Sequence, residues 1–110
     1  MKIIEYTTAG GKNLIKEYLD SLSQKDKLEA INIRRKIANE GYEALKDLNT
    51  RQLKGKLWEI KFSQNRIMYV VQQGDTIYFL HACKKQKNKA EKLDLEKAIK
   101  RAKEYGLKVD

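Results

Sequence analysis

Leu57-Trp58-Glu59-Ile60-Lys61-Phe62-Ser63-Gln64-Asn65-Arg66-Ile67-Met68 is the stretch on which the fold turns. Leu57, Glu59 and Lys61 alternate with Trp58, Ile60 and Phe62, the period of two that marks a strand with unlike faces. Ser63-Gln64-Asn65 supplies turn chemistry. Strands follow at Ile67–Gln73 and Thr76–Cys83, divided by Gly74-Asp75, a pair suited to a tight turn. With Gln52–Lys54 as a further short strand, the segment reads as an antiparallel meander. Trp58, Ile60 and Phe62 then cover helices, and Glu59 and Lys61 point to the other face.

Outward from this meander the period lengthens. Leu14, Ile15, Tyr18, Leu19 and Leu22 follow helical spacing, so a helix is expected over residues 11–22. Ser23 starts a second helix, its hydroxyl placed to accept from the Asp26 amide. That helix is expected to turn Leu28, Ile31, Ile37 and Ala38 inward and to stop near Gly41. Lys2–Tyr6 reads as an opening strand. Lys89–Tyr105 reads as a final helix with Leu95, Ala98, Ile99 and Ala102 on one face. The expected fold is a single α+β domain over residues 1–110 in the order β-α-α-β-β-β-β-α. It has a small antiparallel twisted sheet, an N-terminal helix hairpin and a C-terminal helix.

Composition narrows the function. The 110 residues carry 24 Lys plus Arg against 15 Asp plus Glu, one His, one Cys and no Pro. No apolar run reaches the roughly 20 residues of a membrane span, and Met1–Tyr6 lacks the apolar stretch of a signal peptide. A soluble cytoplasmic protein with no membrane partner is expected. A lone Cys83 allows no internal disulfide and fits a reducing compartment. One His and one Cys do not build the usual zinc site, so neither a metal nor another cofactor is expected. Of the net charge of +9, +7 falls between Arg51 and Lys89, where nine basic residues meet only Glu59 and Asp75. Such a field concentrates polyanions, nucleic acid above all.

If the hairpin turns through Ser63-Gln64, Lys61 faces Arg66, and Glu59, Lys61, Arg66 and Met68 share one face. A three-residue turn would send Arg66 to the opposite face. In the first register one carboxylate stands among cations. Metal-free RNA cleavage needs a base for the 2′-hydroxyl, an acid for the leaving oxygen and positive charge for the phosphorane; Glu59 suits the base, and Lys or Arg the charge. The plainer reading of Glu59 is a cross-strand ion pair. His81 is either a half-buried strand histidine or a direct proton-transfer group. Cys83 reads as a small buried residue. Arg51, Lys54, Lys56, Lys84 and Lys87 are candidate phosphate contacts. Tyr69 is a candidate stacking ring, although tyrosine in a strand is usually packing.

Three stretches in order carry a family likeness: Leu53-Lys54-Gly55-Lys56-Leu57-Trp58-Glu59-Ile60-Lys61, then Arg66-Ile67-Met68-Tyr69, then Leu80-His81-Ala82-Cys83-Lys84-Lys85. The chain resembles the RelE/HigB-like toxins of bacterial type II toxin–antitoxin modules, closest to their phage-derived HigB-like branch. Ala98 and Arg101 of the final helix fit as well. The resemblance implies a microbial-ribonuclease-like domain that enters the ribosomal A site in the bacterial cytoplasm and cuts mRNA without a metal. It implies a helix-turn-helix antitoxin as cognate partner, commonly in a heterotetramer, with operator DNA bound only through that antitoxin. By position, Lys61 and Arg66 match residues that orient the scissile phosphate and stabilise the transition state, and Lys85 matches a basic residue of similar role. Glu59 stands where classical RelE has a lysine and the HigB-like branch a glutamate. The tyrosine of classical RelE would fall near Glu91 and is absent, as is the branch's threonine-proline after Lys84-Lys85.

Three functions are weighed: a ribosome-dependent endoribonuclease toxin, with Glu59, Lys61, Arg66 and Lys85 as its catalytic residues; a ParE-type gyrase inhibitor on the same fold; and a non-catalytic basic module that binds RNA or an acidic protein.

Overall fold

The computed structural model describes residues 1–73, 75–85 and 89–110, with the side chains of all of these except Lys89 and Ala90. At its centre is the hairpin of β3 (Leu57–Phe62) and β4 (Asn65–Gln72), paired as Lys61 with Arg66 and Phe62 with Asn65. The turn is therefore the two-residue one, through Ser63-Gln64. Ser63 supports it with a φ of 53°, a left-handed conformation that hairpin turns require. β2 (Thr50–Lys54) flanks β3, and β5 (Thr76–Lys84) flanks β4, all antiparallel. The turn expected at Gly74-Asp75 lies partly outside the described residues.

β1 (Lys2–Glu5) departs from expectation. It joins β5 in parallel, giving the order β1-β5-β4-β3-β2 and a mixed five-stranded sheet in place of the antiparallel one. Parallel neighbours need a long crossover, and here everything from α1 to β4 lies between them. A second departure is α3 (Tyr42–Asp47), a helix within a stretch of mixed sequence, so the order is β-α-α-α-β-β-β-β-α. Gly41, at φ 64°, ends α2 and starts α3 with one sharp change of direction.

α1 spans Leu14–Asp20, shorter than expected because Asn13 caps it and accepts from the Lys16 amide. α2 (Gln24–Glu40) starts as its sequence implies, with Ser23 Oγ accepting from Asp26. Its buried face is Ala30, Ile33 and Ile37, a stripe of i, i+3, i+7 spacing. Of the residues expected inward, only Ile37 is. Leu28 is 52% exposed, Ile31 48%, and Ala38 is exposed. Ile31 lies about 100° round the helix from Ala30, which takes it off the contact stripe. Tyr18 and Asp26 fasten the hairpin to the sheet through Asn65, whose carbonyl accepts from Tyr18 and whose amide donates to Asp26.

Helices cover both faces of the sheet. Ile60, Phe62, Ile67, Tyr69, Ile77 and Phe79 pack against α1–α3. Leu57, Met68, Val70 and Leu80 pack against Ala98 and Ala102 of α4 (Lys89–Glu104) and against Leu107 and Val109. Every residue of β4 from Asn65 to Val70 is consequently buried. Glu59 and Arg66, expected on an open basic sheet, lie on the face that α4 closes.

Candidate active site

The register of three strands assembles the cluster. Arg51 on β2 is opposite Glu59 on β3, and Lys61 on β3 is opposite Arg66 on β4. Glu59 is fully buried, and its carboxylate meets Arg51 Nε at 3.0 Å, Arg66 at 3.3 Å and Lys61 Nζ at 3.7 Å. Among the described residues neither oxygen takes an aligned hydrogen bond, so charge holds this carboxylate in place. One buried carboxylate facing three cations is electrostatically sound, because an unpaired charge at such a depth would cost several kcal/mol.

The arginines reach outward too. Glu91, in the first turn of α4, places Oε1 2.6 Å from Arg51 and 3.2 Å from Arg66. Its hydrogen bond from Arg51, and then its contact with Arg66, hold its carboxyl below the usual carboxylate range. The same contact, with Glu59 behind it, raises Arg51. Beside this array an open groove of about 410 Å³ runs between β2 and α4, bounded by Arg51, Leu53, Met68, Glu91, Lys92 and Leu95. The array can hold an anion between guanidinium groups and can offer a carboxylate to a proton.

A bulge sets His81. Met68 pairs with His81 and Tyr69 with Phe79, which leaves Leu80 as an extra residue on β5. Leu80 joins the α4 side of the core, and the inserted residue turns His81 the same way. There its Nε2 lies 2.8 Å from Asp94, and Nδ1 lies 3.1 Å from an Arg101 nitrogen. Guanidinium nitrogens only donate, so Nδ1 accepts and the proton sits on Nε2, directed at Asp94. Met68 stands between His81 and Glu59 in the cross-strand row, a separation of two strand spacings, about 10 Å. The structure does not bring His81 to the Glu59 cluster.

Cys83 lies close by, and the donor atoms of His81, Cys83 and Asp94 are within 4.8 Å of one another. The trio fits a metal poorly. A cation on Nε2 would require the proton on Nδ1, against the Arg101 donor, beside a positive charge that repels it. Burial pushes the Cys83 thiol up to about 12, far from a thiolate ligand or nucleophile. Burial likewise lowers His81 below its ordinary value, with Asp94 opposing and Arg101 adding to the fall. A buried neutral histidine contributes stability in full above its unfolded pKa of about 6.5, and that contribution is lost as pH falls through the depressed folded value. The melting temperature is therefore expected to drop across this window and to drop less in His81→Gln. His81 is the sole histidine, so its ring resonances give the folded pKa directly; a value above 6.5 would refute the assignment.

The remaining expected residues scatter. Lys85 and Lys84 are exposed where β5 ends, the Lys85 amide donating to Gln64 at the β3–β4 turn, and no ion pair joins Lys85 to the Glu59 cluster. Lys54 and Lys56 are exposed at the opposite end of the hairpin, four residues of β3 from Lys61, or about 13 Å. Lys87 lies outside the described residues. Tyr69 is a correction: it is buried on the α1–α3 side of the sheet, and burial pushes its hydroxyl up to about 12. Tyr78 packs edge-on against Tyr105. Glu91, Asp94 and Arg101 join the site without having been among its expected residues. Their spacing with Ala98, namely i, i+3, i+7 and i+10, places all four on the sheet-facing side of α4, a periodicity visible in the sequence although the sheet partners that give it a role are not.

A small α+β domain with helices on both faces and a carboxylate–arginine cluster across β2, β3 and β4 is the class defined by these features. A family model described as phage-derived protein Gp49-like (DUF891) matches residues 17–103, which span α1 to α4. The chain belongs to this Gp49-like family, which is associated with toxin–antitoxin modules. No curated protein matches the chain. Among the described residues no helix is long and apolar enough to cross a membrane.

Proposed function

We propose that the chain is the toxin of a type II toxin–antitoxin module of RelE/HigB-like kind, a metal-independent endoribonuclease that cuts mRNA in the A site of bacterial ribosomes. The observation that carries this reading is Glu59, buried and held by Arg51, Lys61 and Arg66 beside an open groove. Glu59 accepts the 2′-hydroxyl proton. The 2′-oxygen attacks phosphorus to close a 2′,3′-cyclic phosphate and the 5′-oxygen leaves with a proton taken from water, while Arg66, Arg51 and Lys61 stabilise charge on the phosphorane. Lys85, beside the turn, contacts RNA flanking the cut. The cognate partner is a helix-turn-helix antitoxin, acidic enough to match the basic end of the sheet, and operator DNA is bound only through it.

The test is inducible expression with mRNA 5′-ends mapped before and after induction, alongside Arg66→Lys and Glu59→Gln. Cuts within translated frames that both variants lose support the reading. Growth arrest without cuts, accompanied by DNA-damage signalling, would replace it with gyrase inhibition. The depth of Glu59 favours one further reading, in which the cluster is structural and the basic rim only binds. Cleavage that persists in Glu59→Gln would select it.

Phosphate tracking makes ribosome association salt-dependent. Arg51, Lys61, Lys85 and Lys92 reach solvent around the groove and the turn. Four phosphate contacts on a single strand imply a fall of about 50-fold in affinity between 50 and 200 mM salt. Sedimentation with ribosomes at both salts measures it, and an unchanged affinity would exclude tracking.

A further inference from the structure

Resting on the reading that the groove takes nucleic acid, we propose that Glu91 is the internal ligand of a two-arginine phosphate seat and is displaced when a phosphodiester binds there. One oxygen, Oε1, bridges Arg51 and Arg66. Guanidinium pairs hold a non-bridging phosphate oxygen in this manner. Arg51 meets Glu59 through Nε and Glu91 through Nη2, and Arg66 Nη1 meets both carboxylates, so the place held by Glu91, the exposed one of the two, is where an incoming anion can engage both guanidinium groups.

Charge makes occupancy exclusive. Arg51, Arg66 and Lys61 against Glu59 and Glu91 leave the cluster with one net positive charge. A phosphodiester replacing Glu91 carries the same single negative charge, so the exchange preserves that balance. Keeping both anions would put like charges within a few Å of each other on shared donors, an arrangement that strongly disfavours double occupancy. Glu91 is suited to yield. Its side chain is 37% exposed where it borders the groove, and it hangs from the first turn of α4, while Glu59 is buried in the sheet. Glu91 is thus a positioning residue that keeps the arginines aligned and neutralised until substrate arrives.

The test uses the full chain and inorganic phosphate, titrated by NMR on the Arg51 and Arg66 side-chain Nε–H signals. Glu91→Gln is expected to bind phosphate about fivefold tighter than the parent, at the low end of typical coupling between competing ligands. Glu91→Ala guards against an effect peculiar to the amide and is expected to act alike. Glu96→Gln removes the same charge from an exposed site on the same helix and reports the general field alone. If both Glu91 variants bind phosphate no more tightly than Glu96→Gln, the proposal is overturned. Tighter phosphate binding that leaves mRNA intact in every variant would uphold the seat while removing the nuclease reading.

Discussion

Arg66→Ala is expected to cost about 3 kcal/mol of folding stability, the lower end of the range for breaking a buried ion pair. The lower end applies because Glu59 keeps Arg51 and Lys61 as counter-charges when Arg66, itself only 3% exposed, is removed. Urea unfolding measures the loss, and a change below about 0.5 kcal/mol, the range of ordinary surface substitutions, would show that the pair is not integral to the core. Arg66→Lys separates fold from chemistry. It keeps the charge but loses the planar guanidinium whose Nη1 meets both Glu59 and Glu91. Under the proposed function, mRNA cleavage by Arg66→Lys is expected to fall about 100-fold or more, the effect of losing one transition-state donor, while most of the stability survives. Cleavage at parental rate would remove Arg66 from the transition state.

Gly55→Ala is expected to have the second largest effect. Gly55 has a φ of 53°, and a Cβ built there would overlap the backbone carbonyl of Val109. The Lys56 amide donates to that same carbonyl, so the chain after α4 is pinned to the β2–β3 turn. Overpacking against backbone, which does not yield as a side chain does, together with left-handed strain gives about 2–4 kcal/mol. Thermal unfolding measures it, with truncation after Lys108 in the Gly55→Ala background as the diagnostic. If the clash is the cause, truncation costs that background less than it costs the parent. Leu53-Lys54-Gly55-Lys56-Leu57 is one of the stretches on which the family likeness rests, and its glycine has this structural reason to be there.

Local rules carried the hairpin. Alternation through Leu57–Phe62 was enough to put Glu59 and Lys61 on one face, and the two-residue turn then brought Arg66 to the same face. The same parity excluded Tyr69 from the site, because a residue next to Met68 must point the other way; of the two readings of Tyr69, stacking ring and packing, the structure keeps packing. What pattern alone did not reach depends on distant partners. The parallel seat of β1 beside β5 requires knowing what occupies that edge. The bulge at Leu80, which turns His81 toward Asp94, leaves no mark in an apolar run. The inward stripe of α2 was misplaced because Leu28 and Ile31 are apolar yet lie off the contact line. Most consequential was α4. Read by itself it showed an apolar face, but Glu91, Asp94 and Arg101 on that side acquire meaning only once the helix lies over the sheet.

The seat of β1 also bears on how the molecule is made. The first strand of this sheet has its neighbour in the last, with Lys2 opposite Thr76 and Glu5 opposite Phe79. Tyr6 and Thr7, just after β1, are tied to Glu104 and Tyr105 at the end of α4. Contacts between such remote parts of a chain form late and slowly. The β1–β5 pair, and the helix that closes the arginine cluster, therefore come together only once β5 and α4 have been synthesised. The groove between β2 and α4 therefore cannot assemble before α4 has been made.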